Sequence, residues 1–258
     1  MLLDGSVATE LRSVGHAVDA PWWTNRALMA GRGRAVVRSI HQAHLDAGAD
    51  VLTAATYRCS REELLGLGLA PGSGTAWMVH AAVGVARAAA GARPGVMVAG
   101  AVGPLGHQDR ERLRAEHGWL VTELARCGVD VVHAESMSSV TEAAVVVDLA
   151  TNAGLPAWVS LRCPETDESV VDAVCAVREC GADLVSVSCA TVERIDAVLQ
   201  AVRERYDGPL GARPDAADDL ARACVRWRTD YCLELVGGCC GTTAGHLRAM
   251  VTAPATGS

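Results

Sequence analysis

The sequence predicts one (β/α)8 TIM barrel spanning residues 1–258 as a single domain, on three observations. Short β-rich runs alternate with amphipathic helical stretches eight times, which is the grammar of a closed parallel barrel. Ala-Gly or Cys-Gly closes several helical stretches just before the next run, at Ala47-Gly48, Ala153-Gly154 and Cys180-Gly181, where glycine supplies a left-handed cap. No GxGxxG follows the first run, which argues against an open doubly wound sheet.

The runs follow in order. Residues 1–7 (MLLDGSV) end on an Asp-Gly turn pair, and 49–56 (ADVLTAAT) follow the helical stretch 34–49. Residues 95–103 (GVMVAGAVG) and 129–136 (VDVVHAES) are the valine-rich third and fourth runs. In the fourth, Val131, His133 and Glu135 share one face at period two. Residues 156–162 (PAWVSLR) follow the helical stretch 139–154, and 183–189 (DLVSVSC) end on a cysteine. Residues 209–214 (PLGARP) are short with proline at both ends, and 232–239 (CLELVGGC) close the series. No Pro-, Gly- or Ser-rich linker divides the chain.

Composition narrows the function. Half of the residues are hydrophobic but there is no Phe, so Val, Leu, Ala and Ile must build the core. The net charge is −7 with no basic block, which excludes a nucleic-acid partner. No apolar run reaches membrane-span length, and the N-terminus lacks a basic n-region. The expectation is a cytoplasmic protein whose ten cysteines are mostly reduced.

Barrel chemistry sits at the C-terminal ends of the strands. Those ends carry Asp4-Gly5, Thr56-Tyr57, Gly103-Pro104, Glu135, Arg162-Cys163, Cys189, Arg213 and Cys239-Cys240. Gly237 and Gly238 remove two Cβ atoms directly before the cysteine pair, so the backbone can kink and turn both thiols to one point. A soft divalent ion such as zinc would reward that. Cys189, two strands away and sharing an alternate-strand layer, is the best third ligand. A structural pair or vicinal disulfide is the competing reading.

Cys127, Cys175, Cys180 and Cys224 lie on helical stretches and read as small buried hydrophobes. Cys59, Cys163 and Cys232 read as structural. Glu135 at the mouth would hold a substrate ammonium, or else cap its loop. His133, one layer deeper, reads as a hydrogen-bonded core histidine. His41 and His44, three apart on an outer helix, read as surface or packing residues.

These segments resemble a known family. LDGSVATEL, HQAHLDAGADVLTAATYRCS, VAGAVGPLG, VVHAES, VSVSCA and VGGCCGTT occur in the order and places of the zinc-dependent homocysteine S-methyltransferases, over residues 3 to about 250. The resemblance implies a (β/α)8 barrel with Zn2+ held by Cys189, Cys239 and Cys240, and Asp4, Gly5 and Glu135 near the amino-acid part of homocysteine. The stretches between Gly103 and Glu135 and between Cys189 and Cys239 are shorter than in the family. The expected reaction moves a methyl group from a small-molecule sulfonium donor, S-methylmethionine or S-adenosylmethionine, to the homocysteine thiol. The alternatives are the same chemistry on another small thiol, or a non-catalytic zinc barrel acting as sensor or partner subunit.

Overall fold

The computed structural model describes residues 1–106, 109–163 and 168–254. Seven parallel strands pair in chain order: β1 (Val51–Ala54), β2 (Met97–Val102), β3 (Val131–Met137), β4 (Ala157–Arg162), β5 (Leu184–Ser188), β6 (Leu210–Arg213) and β7 (Leu235–Val236). The N-terminal segment closes the ring. Leu2 bridges in parallel to Val236 and Leu3 to Val51, so the first predicted strand is present as two bridging residues. All eight runs therefore contribute to one barrel. Among the described residues, no helix is long and apolar enough to cross a membrane.

Helices α1 (Val7–Ser13), α2 (Asn25–Met29) and α3 (Gly31–Asp46) precede β1, and α4 (Arg61–Gly66) and α5 (Ser73–Ala90) precede β2. One helix follows each later strand: α6 (Arg110–Arg126), α7 (Val140–Asn152), α8 (Glu168–Glu179), α9 (Val192–Arg203), α10 (Leu220–Asp230) and α11 (Ala244–Thr252). Local chemistry sets their starts. Ser60 and Glu63 form a reciprocal capping box on α4, while Asp109, Ser139 and Thr191 accept from first-turn N–H groups of α6, α7 and α9.

Aspartates fix the bottom of the ring. Asp50, just before β1, accepts from Leu2 N–H at 2.7 Å. Asp130 accepts from Val98 N–H at 2.6 Å, and Asp183 from Ala157 N–H at 2.8 Å. Each satisfies a strand-start donor on a neighbouring strand that the ladder leaves unpaired.

The barrel interior changes chemistry with height. Its lowest layer is apolar: Leu3, Val51, Ala99, Val131, Trp158, Leu184 and Leu235, one from each strand except β6. There β6 places Gly211, where a Cβ would stand 2.9 Å from Leu235 O. The Cβ atoms of Leu235 and Ser186 crowd the same point, so only glycine fits against the ladder there. Two residues further along each strand, the inner face becomes Thr53, Ala101, His133, Ser160, Ser186, Arg213 and Gly237. The larger core lies between sheet and helices. This gradient positions the site: the inner face is apolar at the bottom of the barrel and polar toward its C-terminal end.

Several expectations change. For His41 and His44 the surface-or-packing expectation narrows to packing, since both are fully buried. Cys180 is exposed at the end of α8, and only Cys224 of the four helical cysteines is fully buried. Cys59 is buried and donates to Asn25 Oδ1 at 3.2 Å. His133 is buried in the core as expected, but neither ring nitrogen finds a hydrogen-bond partner. Its ring instead meets Trp158 edge-on at 6.3 Å. Pro209 and Pro214 lie just outside β6, so they remove no ladder donor from this central strand.

Candidate active site at the barrel mouth

Three thiols from two strand ends converge at the C-terminal mouth. Cys189 follows β5 directly. Strict alternation would continue Leu184, Ser186 and Ser188 on the inner face and send Cys189 outward. Its φ of 59° breaks that alternation, and its Sγ lies 3.0 Å from Cys239 Sγ. Ser136 Oγ is 3.3 Å from Cys189 Sγ on the other side. Ser136 also has a positive φ, of 55°, and sits where the β3–β4 register shifts between Ala134 and Met137. A bulge of this kind re-aims side chains at a barrel rim. A non-glycine residue in the left-handed region is uncommon, and here two of them touch.

The cysteine pair stands on a built turn. Thr242 N–H donates to Cys239 O at 3.3 Å, and Gly241 between them has φ +79°, the signature of a type II turn. Thr242 Oγ1 donates to Cys239 O as well, at 2.7 Å. A Cβ on Gly237 would lie 2.7 Å from Leu3 Cβ, and one on Gly238 would collide with the Thr242 side chain. The double glycine therefore lets the strand pass close to the N-terminal segment and fold back on itself. Cys239 is half-buried toward Cys189, while Cys240 is exposed.

The thiol contacts shift the sulfurs in opposite directions. The Cys189 thiol is pushed well below the ordinary thiol range because Cys239 and then Cys240 donate to its sulfur, with Ser136 and Ser188 adding to this. Cys239 is raised by the same contact, and so is Cys240.

Beneath the thiols lies a buried ion pair. Arg213 Nη1 is 2.5 Å from Glu135 Oε1, with both side chains about nine-tenths buried. Burial alone would weaken the guanidinium charge, but Glu135 and the thiols of Cys239 and Cys189 outweigh it. The same Arg213 helps hold His133 neutral, next to burial itself. Tyr57 completes this wall. Burial first, then Glu135, pushes its phenol up to about 12. Sequence reading named Arg213 as a strand end and gave it no role. Its period-two spacing from the inward Gly211 was the available signal.

Asp4 and Gly5 lie lower and to one side. Thr53 donates to Asp4 twice, from N–H at 2.8 Å and from Oγ1 at 2.7 Å. His41 Nδ1 and His44 Nδ1 approach Asp4 Oδ2 at 3.8 and 3.9 Å. Burial raises the Asp4 carboxyl to about 7 and lowers His41 to about 3 and His44 to about 4. A Cβ on Gly5 would stand 3.1 Å from His44 Nε2 and 3.3 Å from Thr242 O. Gly5 therefore knits the N-terminal segment to both the histidine cluster and the cysteine turn. The structure brings Cys189 and Cys239 into contact with Cys240 beside them and Glu135 close below. Asp4 sits within electrostatic reach of Arg213 and Glu135.

Two clusters have metal-holding spacing among the described residues: Asp4, His41 and His44, and Asp215, Cys239 and Cys240, each with ligand atoms within 4.8 Å of one another. In the first, the Asp4 carboxylate is already engaged by Thr53 and all three residues are buried. The second adjoins Cys189 at the open mouth, and its soft sulfur donors suit a thiophilic ion such as zinc.

A family model described as homocysteine S-methyltransferase matches residues 1–253. Homocysteine S-methyltransferase 4 of Zea mays is 25% identical, over 98% of this chain and 88% of its own. Selenocysteine Se-methyltransferase of Brassica oleracea var. italica is 21% identical, over 96% and 87%. The crystal structure of the metallated homocysteine methyltransferase MmuM from Escherichia coli is similar with a TM-score of 0.88 at 25% identity, covering 97% of this chain and 94% of that one. The maize alignment runs over 309 positions against 258 residues here, so that relative carries at least 309 − 258 = 51 positions that this chain lacks.

Proposed function

The chain belongs to the homocysteine S-methyltransferase family, and from that premise we propose that it moves a methyl group from a sulfonium donor, S-methylmethionine or S-adenosylmethionine, to the thiol of homocysteine. The observation that carries the reading is the convergence of Cys189 and Cys239, with sulfurs 3.0 Å apart, at the open end of the barrel. Cys240 is the third ligand in this reading and zinc the metal. The donor set fits: three soft sulfurs stand at one mouth, as a thiophilic ion prefers. When bound there, zinc would supply Lewis acidity that keeps an acceptor thiol ionised at neutral pH.

The chain's own residues do the rest. Glu135 holds the substrate ammonium, and the contact with Arg213 fixes the position of that carboxylate. Asp4, positioned by Thr53, lines the amino-acid end with Gly5. The acceptor sulfur attacks the donor methyl carbon in line. A new S–CH3 bond forms, the old C–S bond breaks, and its electron pair stays on the departing neutral sulfide. Positioning of the two sulfurs about the methyl supplies much of the rate. A cationic donor is drawn to a mouth rich in thiolate by Coulomb energy.

A second reading, transfer to another small thiol or selenol, is favoured by the Glu135–Arg213 pair. A carboxylate already neutralised at 2.5 Å grips an ammonium less firmly, and one relative is named for selenocysteine. The test is to incubate zinc-loaded protein with homocysteine and each donor, and follow methionine by mass spectrometry. Methionine formation that disappears with chelator and returns with zinc is expected. Methylation of a different thiol or selenol in the panel, with none of homocysteine, would favour the second reading. Silence across the panel would leave a non-catalytic barrel.

A further inference from the structure

We infer that Arg213 is the receptor for the acid group of the acceptor, so that the site takes thiols carrying a carboxylate and reads their ammonium second. The inference rests on the transferase reading above and names the acceptor class of the same site. Among the described residues Arg213 is the only buried arginine, and the chain holds no lysine. Its period-two spacing from the inward Gly211 turns it to the barrel interior. There it lies within electrostatic reach of the sulfurs of Cys239 and Cys189, and of Glu135, His133 and Asp4.

The charge of Arg213 is balanced, but its donors are not. Glu135 Oε1 lies 2.5 Å from Nη1. That contact is not aligned as a hydrogen bond, and neither Nη1 nor Nε has a hydrogen-bond partner. His133, within the field of the same guanidinium, is buried with both ring nitrogens unpartnered, and its Nδ1 lies 4.0 Å from Glu135 Oε1. Buried polar groups nearly always find partners, so unpartnered donors gathered at one place mark a site that a further group completes.

That group is an anion. A guanidinium presents a planar fork of N–H donors that matches a carboxylate, and it repels an ammonium. The receptors for an ammonium are weaker here. Glu135 is neutralised by Arg213 and offers only its remaining lone pairs. Asp4 is turned to Thr53, which donates to both of its oxygens. A thiol without an acid group leaves buried guanidinium donors unpaired, which is the larger loss. A thiol without an ammonium leaves Glu135 with Arg213 as before.

The experiment uses the full chain, reduced and zinc-loaded, with homocysteine, γ-mercaptobutyrate, which lacks only the ammonium, and γ-mercaptopropylamine, which lacks only the carboxylate. Binding is read by calorimetry, and methyl transfer from either sulfonium donor by mass spectrometry. The mercaptobutyrate is expected to bind within about tenfold of homocysteine, and the mercaptopropylamine about a hundredfold more weakly than homocysteine, the upper end for a charge-assisted hydrogen bond. Arg213→Met combined with Glu135→Gln leaves no orphaned charge; it should keep its zinc and bind the two analogues about equally. Arg213→Lys keeps the charge and loses the fork. It should lose about tenfold in mercaptobutyrate affinity, and it carries the test if the double variant does not fold. Arg162→Met removes the exposed arginine at the end of β4 and should leave the ranking unchanged.

Mercaptopropylamine binding to wild type as tightly as mercaptobutyrate would overturn the proposal. So would a preference for the acid that survives in the Arg213 variants, or one that Arg162→Met abolishes, because another cation would then read the acid group. Failure of the transferase reading looks different. The expected ranking in binding, with no thiol methylated, would refute that reading and keep Arg213 as the receptor. Zinc-loaded protein that binds none of these thiols would overturn both.

Discussion

Replacing Glu135 with Gln tests the buried pair that organises the mouth. The substitution keeps the shape and removes the charge, leaving Arg213 about nine-tenths buried without its counterion. Removing one partner of such a pair costs about 3–5 kcal/mol, because the remaining charge stays desolvated. At this depth little solvent screening discounts the figure. In a domain of this size the loss corresponds to a fall in Tm of about 6–20 °C. The cost should be specific to the orphaned charge. Adding Arg213→Met to Glu135→Gln should recover about 2 kcal/mol or more, since an apolar pair of similar volume is often neutral. Chemical denaturation of wild type, both singles and the double closes the cycle. Homocysteine titration of metal-loaded Glu135→Gln adds the functional arm, with affinity expected to fall about tenfold. Additive single effects, each below about 1 kcal/mol, would refute the reasoning, because the pair would then be solvated in solution.

Three further outcomes follow from the same geometry. Reduced wild-type protein should carry about one zinc per chain, and the Cys239→Ala, Cys240→Ala double variant should carry none by elemental analysis; full retention would sink the ligand set. Burial lowers His41 to about 3 from an unfolded value near 6.5, so its stability contribution is present above 6.5 and lost as pH falls toward 3. His44 acts in the same direction, while Asp4, raised from 3.8 to about 7, opposes them by losing stability as pH rises through that window. Substituting His41→Gln should therefore flatten the rise in stability between pH 4 and 6.5 by about 1.4 kcal/mol per pH unit, read from urea melts at three pH values; an unchanged slope would show that His41 protonates freely in the folded state. Gly238→Ala should strain the cysteine turn against Thr242, costing about 1–3 kcal/mol as overpacking does and weakening zinc retention, with partial rescue by Thr242→Gly; a wild-type melt and metal content would remove Gly238 from the design of the site.

Much of this molecule is legible in the chain itself. The eight β-rich runs are written in local periodicity and glycine caps, which depend on near neighbours, and every run forms a strand or bridge where expected. The Gly-Gly-Cys-Cys stretch is equally local, since two residues without Cβ directly precede two thiols and the chain turns there. Tertiary structure decided what depends on contact across the ring. Arg213 and Glu135 are 78 residues apart in sequence (213 − 135) and become one ion pair only when β3 and β6 face each other across the barrel. His41 and His44 read as surface or packing residues from their helix alone, and only the fold shows that α3 packs them against Asp4. Periodicity records which face of an element is apolar, but not which charge another element brings to it. Cys189 shows the same limit from the backbone side: its place at a strand end is in the sequence, but the left-handed turn that aims its sulfur at Cys239 is imposed by the loops bonded around it.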